Sequence, residues 1–103
     1  MAGEIRVKRL PQAGRLVPCG ARTLHSRIVR LKPGGIMDWH STHGREELLI
    51  GLNGRVEVEV RVGVGRTRRL ALKKGQSSFL PAQTLHRVVN RSSASARYLY
   101  IAG

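Results

Sequence analysis

Short apolar or alternating segments recur throughout this chain, separated by glycine and proline, and no stretch of a dozen residues carries the three-to-four-residue period of an amphipathic helix. The clearest case is residues 55–62, where Val56, Val58, Val60 and Val62 alternate with Arg55, Glu57, Glu59 and Arg61. That pattern predicts a strand with one face in a core and the other in water. SRIVRLK (26–32), IMDWH (36–40), RRLALK (68–73), FLPA (79–82), HRVVN (86–90) and ARYLYIA (96–102) read as further strands. LLIGL (48–52) is nearly all apolar, as expected of a strand covered on both faces.

The breaks between these segments are made of turn residues. Lys32-Pro33-Gly34-Gly35 pairs a proline that presets φ with a glycine that tolerates positive φ. Gly63 and Gly65 mark another turn, and Lys74-Gly75 ends the segment before it. Asn53-Gly54 is the dipeptide favoured in two-residue hairpins, so a hairpin with a type I′ turn is expected there. About eight or more short strands at near-regular spacing suit an all-β domain, a closed barrel or a jelly roll, because such folds leave few open sheet edges.

Length confines the picture to one domain spanning residues 1–103, since two cores would each be too small to bury enough apolar surface. With aromatic residues at 4%, that core must be filled by Val, Leu, Ile and Ala. Met37, Trp39, Ile50, Phe79, Tyr98 and Tyr100 are read as core residues, with a pocket wall as the alternative. No apolar run reaches the roughly 20 residues that cross a bilayer, and MAGEIRVKRL lacks the apolar segment of a secretory signal, so a cytoplasmic protein is expected. Cys19 stands alone and is read as a small apolar filler; the alternative, a nucleophile served by His25, lacks an orienting third group.

Charge is the unusual bulk property: 19 Lys and Arg against 6 Asp and Glu give +13, with Arg outnumbering Lys fifteen to four. A polyanion partner therefore has to be weighed. The arginines are scattered, however, and only Arg66, Arg68, Arg69, Lys73 and Lys74 cluster. Without a helix-turn-helix pattern, zinc-finger spacing or aromatic platform, they read as a solvated surface, and no specific nucleic-acid partner is expected.

Three of the four histidines fall in two places, each beside a turn and near other ligand-type groups. In the first, Gly34 precedes His40 by five intervening residues, Glu47 follows, and six more residues lead to Gly54. In the second, Gly75 is followed after five residues by Pro81, then His86, then Asn90. With these positions, residues 34–54 and 75–90 resemble the two signature motifs of the cupin superfamily, Gly-x5-His-x-His-x(3,4)-Glu-x6-Gly and Gly-x5-Pro-x-Gly-x2-His-x3-Asn. The resemblance implies a single-domain cupin jelly-roll β-barrel with one divalent metal ion in its mouth.

By the same resemblance the ligands are His40, Glu47 and His86, with His43 as a candidate fourth. Two positions depart from the motifs. The second histidine of the first motif falls on Thr42, with His43 one residue late, and the glycine of the second motif is Gln83. In an extended strand a slip of one residue turns a side chain to the other face, so Thr42 is expected as a neighbour of the metal if His43 points away. Glu46 is read as a surface carboxylate and His25 as an ordinary satisfied histidine.

Two imidazoles and a carboxylate form an open set that suits Mn, Fe, Co, Ni, Cu or Zn. The function expected is a metal-dependent enzyme on a small molecule, with dioxygenase or isomerase-like chemistry. A non-catalytic cupin that binds or senses a small ligand is the alternative, and a basic nucleic-acid-binding barrel the weaker one. A homodimer is also expected, with the segment IRVKRL (5–10) adding a strand to a partner's sheet.

Overall fold

The computed structural model describes residues 5–103, and every regular element among them is a strand. The nine strands are β1 (Gly14–Arg15), β2 (His25–Leu31), β3 (Ile36–Ser41), β4 (Glu47–Asn53), β5 (Arg55–Gly63), β6 (Arg66–Lys73), β7 (Ser77–Leu80), β8 (Leu85–Val89) and β9 (Ala96–Ala102). They form two antiparallel sheets, one ordered β1-β2-β9-β4-β7 and the other β3-β8-β5-β6. The fold is the all-β jelly roll that the strand spacing implied, with two sheets packed face to face. No helix of the described residues is long and apolar enough to cross a membrane.

Alternation decides what lies between the sheets. Val29 and Leu31, Leu49, Val56 and Val58, Leu72, Val88 and Tyr98 form the core, drawn from both layers. Burying each such side chain contributes about 1.5–3 kcal/mol before the entropy cost is counted. The outer face of the five-stranded sheet is apolar as well: Leu48, Ile50, Leu52 and Ile101 are half-buried and Phe79 is 57% exposed. The outer face of β5 instead carries Glu57 and Glu59, and Glu59 is only 1% exposed despite the expectation that this side meets water.

The turns show why the chain keeps changing layers. Lys32-Pro33-Gly34-Gly35 forms a β-turn, with the Gly35 N–H donating to the Lys32 carbonyl at 2.8 Å and Gly34 at φ 80°. It leads from one sheet to the other. Asn53-Gly54 does the same and is not a hairpin: β4 pairs with β7 and β9, and β5 with β6 and β8. A type I′ turn needs positive φ at both central residues, yet only Gly54 has it, at 67°. The Asn53 side chain instead accepts a 2.6 Å hydrogen bond from Arg97, and any Cβ at position 54 would press on the backbone of Ser95. The hairpin proper joins β5 to β6 through Gly63-Val64-Gly65.

Asn90, fully buried, seals this closed end. Its amide donates to the carbonyls of Leu31 at 2.9 Å and Ala94 at 2.8 Å, while its oxygen accepts from Ser92. Its backbone pairs with Gly34 and Gly35. The strand directions put Gly34, Gly54, Gly75 and Asn90 at this end, and the starts of β4 and β8 with the end of β3 at the other.

Candidate metal centre

At the open end, strict alternation would put Met37 and Trp39 on one face of β3 and His40 on the other. A β-bulge overturns this. Met37 pairs with Val88 and His40 with His86, so three steps along β3 match two along β8 and the extra residue re-aims the side chains beyond it. His40 therefore turns inward beside His86, their ring centroids 4.2 Å apart. Trp39 turns outward and is flanked by the guanidinium groups of Arg61 at 5.1 Å and Arg87 at 5.0 Å. The Asp38 side chain holds the bulge by accepting the Trp39 N–H at 2.7 Å.

Glu47 reaches the same place by plain alternation, lying on the face of β4 that also presents Leu49 to the core. The ligand-type atoms of His40, Glu47 and His86 all lie within 4.8 Å of one another. Their tautomers are set from behind. His40 Nδ1 is 2.8 Å from the Asp38 carbonyl and His86 Nδ1 is 3.2 Å from that of Thr84, and a carbonyl can only accept, so both Nδ1 atoms carry the hydrogen. Each Nε2 is left with a lone pair directed at the cluster.

The Glu47 carboxylate makes this arrangement unsatisfied as it stands. Its Oε2 lies 3.0 Å from His86 Nε2, yet it is buried and makes no hydrogen bond. A lone pair facing a carboxylate oxygen is repulsive unless a cation or proton sits between them, and an unpaired buried oxygen costs about 1–3 kcal/mol. Two imidazoles and one carboxylate with ligand atoms this close together fit a divalent metal ion. Tyr98, only 2% exposed on the same wall, has its phenol pushed far above its usual range by burial, by the nearby Glu47 charge and by Tyr100. It remains a neutral O–H.

The two departures from the motifs meet at the rim. Thr42 is buried and acts as a clasp: its hydroxyl donates to the Pro81 carbonyl at 2.8 Å and accepts from the Thr84 N–H at 3.0 Å. That fixes the Thr84 carbonyl on which His86 rests. His43 and Gln83 both adopt positive φ, 54° and 59°, and the Gln83 N–H donates to the His43 carbonyl at 2.7 Å. His43 is exposed and stands outside the group of atoms within 4.8 Å, although it lines the same cavity.

That cavity, about 960 Å³ and open at the mouth, is lined by Met37, Leu49, Tyr98 and Tyr100 together with all four histidines of the chain. Trp39 and Phe79 face elsewhere, and Ile50 lies on the outer sheet face. His25 is the residue that sequence reasoning undervalued: it faces the cavity, and its Nε2 is buried without a hydrogen bond. Its strand register carries the signal, because β9 seats His25 and Glu47 on either side of Ala102. Cys19 is exposed rather than packed, its sulfur accepting a bond from Arg15 at 3.1 Å.

Residues 27–102 match the family model described as the cupin domain. The chain belongs to the cupin family. Over 74 residues, 70% of the chain, it is 32% identical to a probable oxalate decarboxylase of Arthroderma benhamiae, and the match spans only 18% of that protein's length. A cupin 2 conserved barrel domain protein from Salinispora arenicola superposes with a TM-score of 0.70 at 25% identity, covering 99% of this chain and 89% of that one. A sugar phosphate isomerase of the cupin superfamily from Silicibacter pomeroyi gives 0.67 at 23% identity, over 81% and 52%. As a cupin, the chain keeps the family's glycines at its closed end, where φ is 80°, 67° and 81° at Gly34, Gly54 and Gly75.

Proposed function

We propose that this cupin holds one divalent transition metal ion on His40, Glu47 and His86 and acts as a metal-dependent enzyme on a small molecule, with dioxygenase or isomerase-like chemistry. The observation that carries the reading is the buried Glu47 Oε2, unbonded and 3.0 Å from a histidine nitrogen whose ring is already tethered on its far side. A bound metal would supply Lewis acidity or oxygen activation. The chain's own residues do the rest. Asp38 and Thr84 hold the imidazoles in one tautomer, Thr42 fixes Thr84, and Met37, Leu49, Val88 and Tyr98 keep the inner wall dry. Tyr98 retains its proton as a hydrogen-bond donor. Acting on a small oxygen-rich molecule agrees with the names of the oxalate decarboxylase and the sugar phosphate isomerase to which the chain is similar.

His43, exposed at the rim of the same cavity, is kept in this reading as a fourth ligand recruited by movement of residues 43–46 while Thr42 stays clasped. A homodimer in the cytoplasm completes it, supported by Ile5 and Val7, 94% and 101% exposed, and by the apolar outer face around Ile50, Ile101 and Phe79. Sedimentation that finds only monomer at high concentration removes the dimer.

Elemental analysis of protein made without a histidine tag tests the metal. About one transition-metal ion per chain is expected, and His86→Ala is expected to lose it, with affinity falling more than about 100-fold, beyond what loss of an outer hydrogen bond costs. Wild-type protein that neither contains nor takes up a stoichiometric metal overturns the reading, as does a His86→Ala variant with unchanged metal content.

A further inference from the structure

The metal cluster uses two of the four histidines in the cavity, and His25 is the one left with a buried, unbonded nitrogen. We propose that His25 is the specificity residue of this cavity, binding through Nε2 the end of the ligand that lies away from His40, Glu47 and His86. We further propose that the ligand is a small organic acid with a second oxygen group several atoms from the first. This rests on the metal-dependent reading above.

Sheet register places His25 usefully. It pairs with Ala102, and Ala102 pairs on its other side with Glu47, so the three share one row across the sheet and point to one face. Two strand spacings separate His25 from Glu47, roughly 10 Å between backbones. The residue between them ends in a methyl group, so nothing bulky fills the row. A ligand of a few carbons can lie over Ala102 with one end at the cluster and the other at His25. His25 is not among the buried apolar residues of β2, which are Ile28, Val29 and Leu31.

Nε2 is closed off from solvent in the unliganded chain, so the ring turns to present it, and the ligand oxygen then supplies the hydrogen bond that the fold leaves unmade. Charge chooses the ligand's sign. Arg45 lines the same cavity, the chain carries +13, and of the two acids in the lining, Glu47 faces the two histidines while Asp38 uses a side-chain oxygen on the Trp39 N–H. An anion is therefore drawn in.

The test uses the whole chain loaded with Co(II), whose visible spectrum reports the cluster, and titrates propionate against malonate, succinate and glutarate. In wild type at least one diacid is expected to bind at least 10-fold tighter than propionate. His25→Ala is expected to abolish that advantage while leaving propionate binding and Co(II) affinity unchanged and without lowering the melting temperature. His25→Asn, which keeps a donor of smaller reach, is expected to restore part of it. The proposal is overturned if no diacid outbinds propionate, or if the advantage survives in His25→Ala and so comes from net charge alone.

A wild-type protein that takes up no Co(II) would sink the metal reading separately. His25 is then tested by the shift of its ring protons in NMR on adding succinate to the metal-free chain. A shift absent from the signals of His43 supports the proposal, and unmoved His25 signals overturn it.

Discussion

Two carboxylates are buried among the described residues of this small protein, and they are treated in opposite ways. Glu59, on the outer face of β5, is saturated. Arg87 donates to Oε1 through Nε at 2.9 Å with its Nη2 also 2.9 Å from that oxygen, Arg91 donates to Oε2 at 2.7 Å, and Arg69 stands 3.7 Å away. Glu47, on the inner face of β4, has an oxygen with no donor at all and a histidine lone pair in front of it. Both are shielded from water, so burial alone does not distinguish them. What differs is the partner. A carboxylate ringed by fixed cations belongs to the framework, whereas one ringed by neutral nitrogen donors has room for a cation that the chain does not supply.

Neutralising each carboxylate in turn should pull this contrast apart. Glu59→Gln leaves Arg87 and Arg91 facing an amide and is expected to cost about 3 kcal/mol, the low end for breaking a buried pair because both arginines reach solvent. For a domain of this size that lowers the melting temperature by about 15 °C. Metal content should not change. Glu47→Gln should do the reverse: metal-free protein melts at or above wild type, because the amide can donate to the His86 nitrogen, but the stabilisation gained on adding metal disappears. In wild type that gain is about 2.7 kcal/mol when free metal is 100 times Kd, and a chelator removes it. Differential scanning calorimetry with and without chelator on both variants checks the pair. Equal effects of the two substitutions on metal-dependent melting would dissolve the distinction.

Acid sharpens the same comparison with a smaller effect. Burial pushes the Glu59 pKa up, but the hydrogen bonds and charges of Arg91 and Arg87 outweigh it, and the net shift is down. A carboxylate whose pKa is lower in the folded state contributes stability that is complete above its unfolded value, about 4.3, and is lost as pH falls through the folded value. Urea midpoints should therefore drop as pH falls below about 4 in wild type, and the drop should be shallower in Glu59→Gln. Parallel curves for the two proteins would show that Glu59 is not the group being titrated.

The contrast also marks what could be read from the chain before it was folded. Alternation in 55–62 placed Val56 and Val58 in the core, and motif spacing singled out His40, Glu47 and His86, because both signals are local or tied to fixed turns. Alternation assigns a residue to a face without saying what covers that face. It gives Glu59 to water, whereas the groups that bury it come from β8 and the turn beyond, 28 and 32 residues along the chain. Asn53-Gly54 failed for a related reason. The dipeptide specifies a tight reversal, but which strands then pair depends on β9 arriving beside β4. His25 lies outside both motifs, so only its register across β9 reveals its neighbourhood.

The smallest effect concerns the rim, where the site meets the framework. Gln83 stands where the family pattern has glycine and still adopts φ 59°, held there by its 2.7 Å bond to the His43 carbonyl. A side chain in that region costs about 1–2 kcal/mol, which glycine would relieve. Glycine would also loosen the unfolded chain by about 0.4–1 kcal/mol, so Gln83→Gly is expected to gain only about 0.5–1 kcal/mol, or a few degrees in melting temperature. Because the N–H that bonds His43 belongs to the backbone, glycine keeps it, and metal affinity should stay within about twofold of wild type. A larger loss of affinity would mean that the Gln83 side chain, rather than the turn it closes, supports His86, and the rim would then count with Glu47 as part of the site.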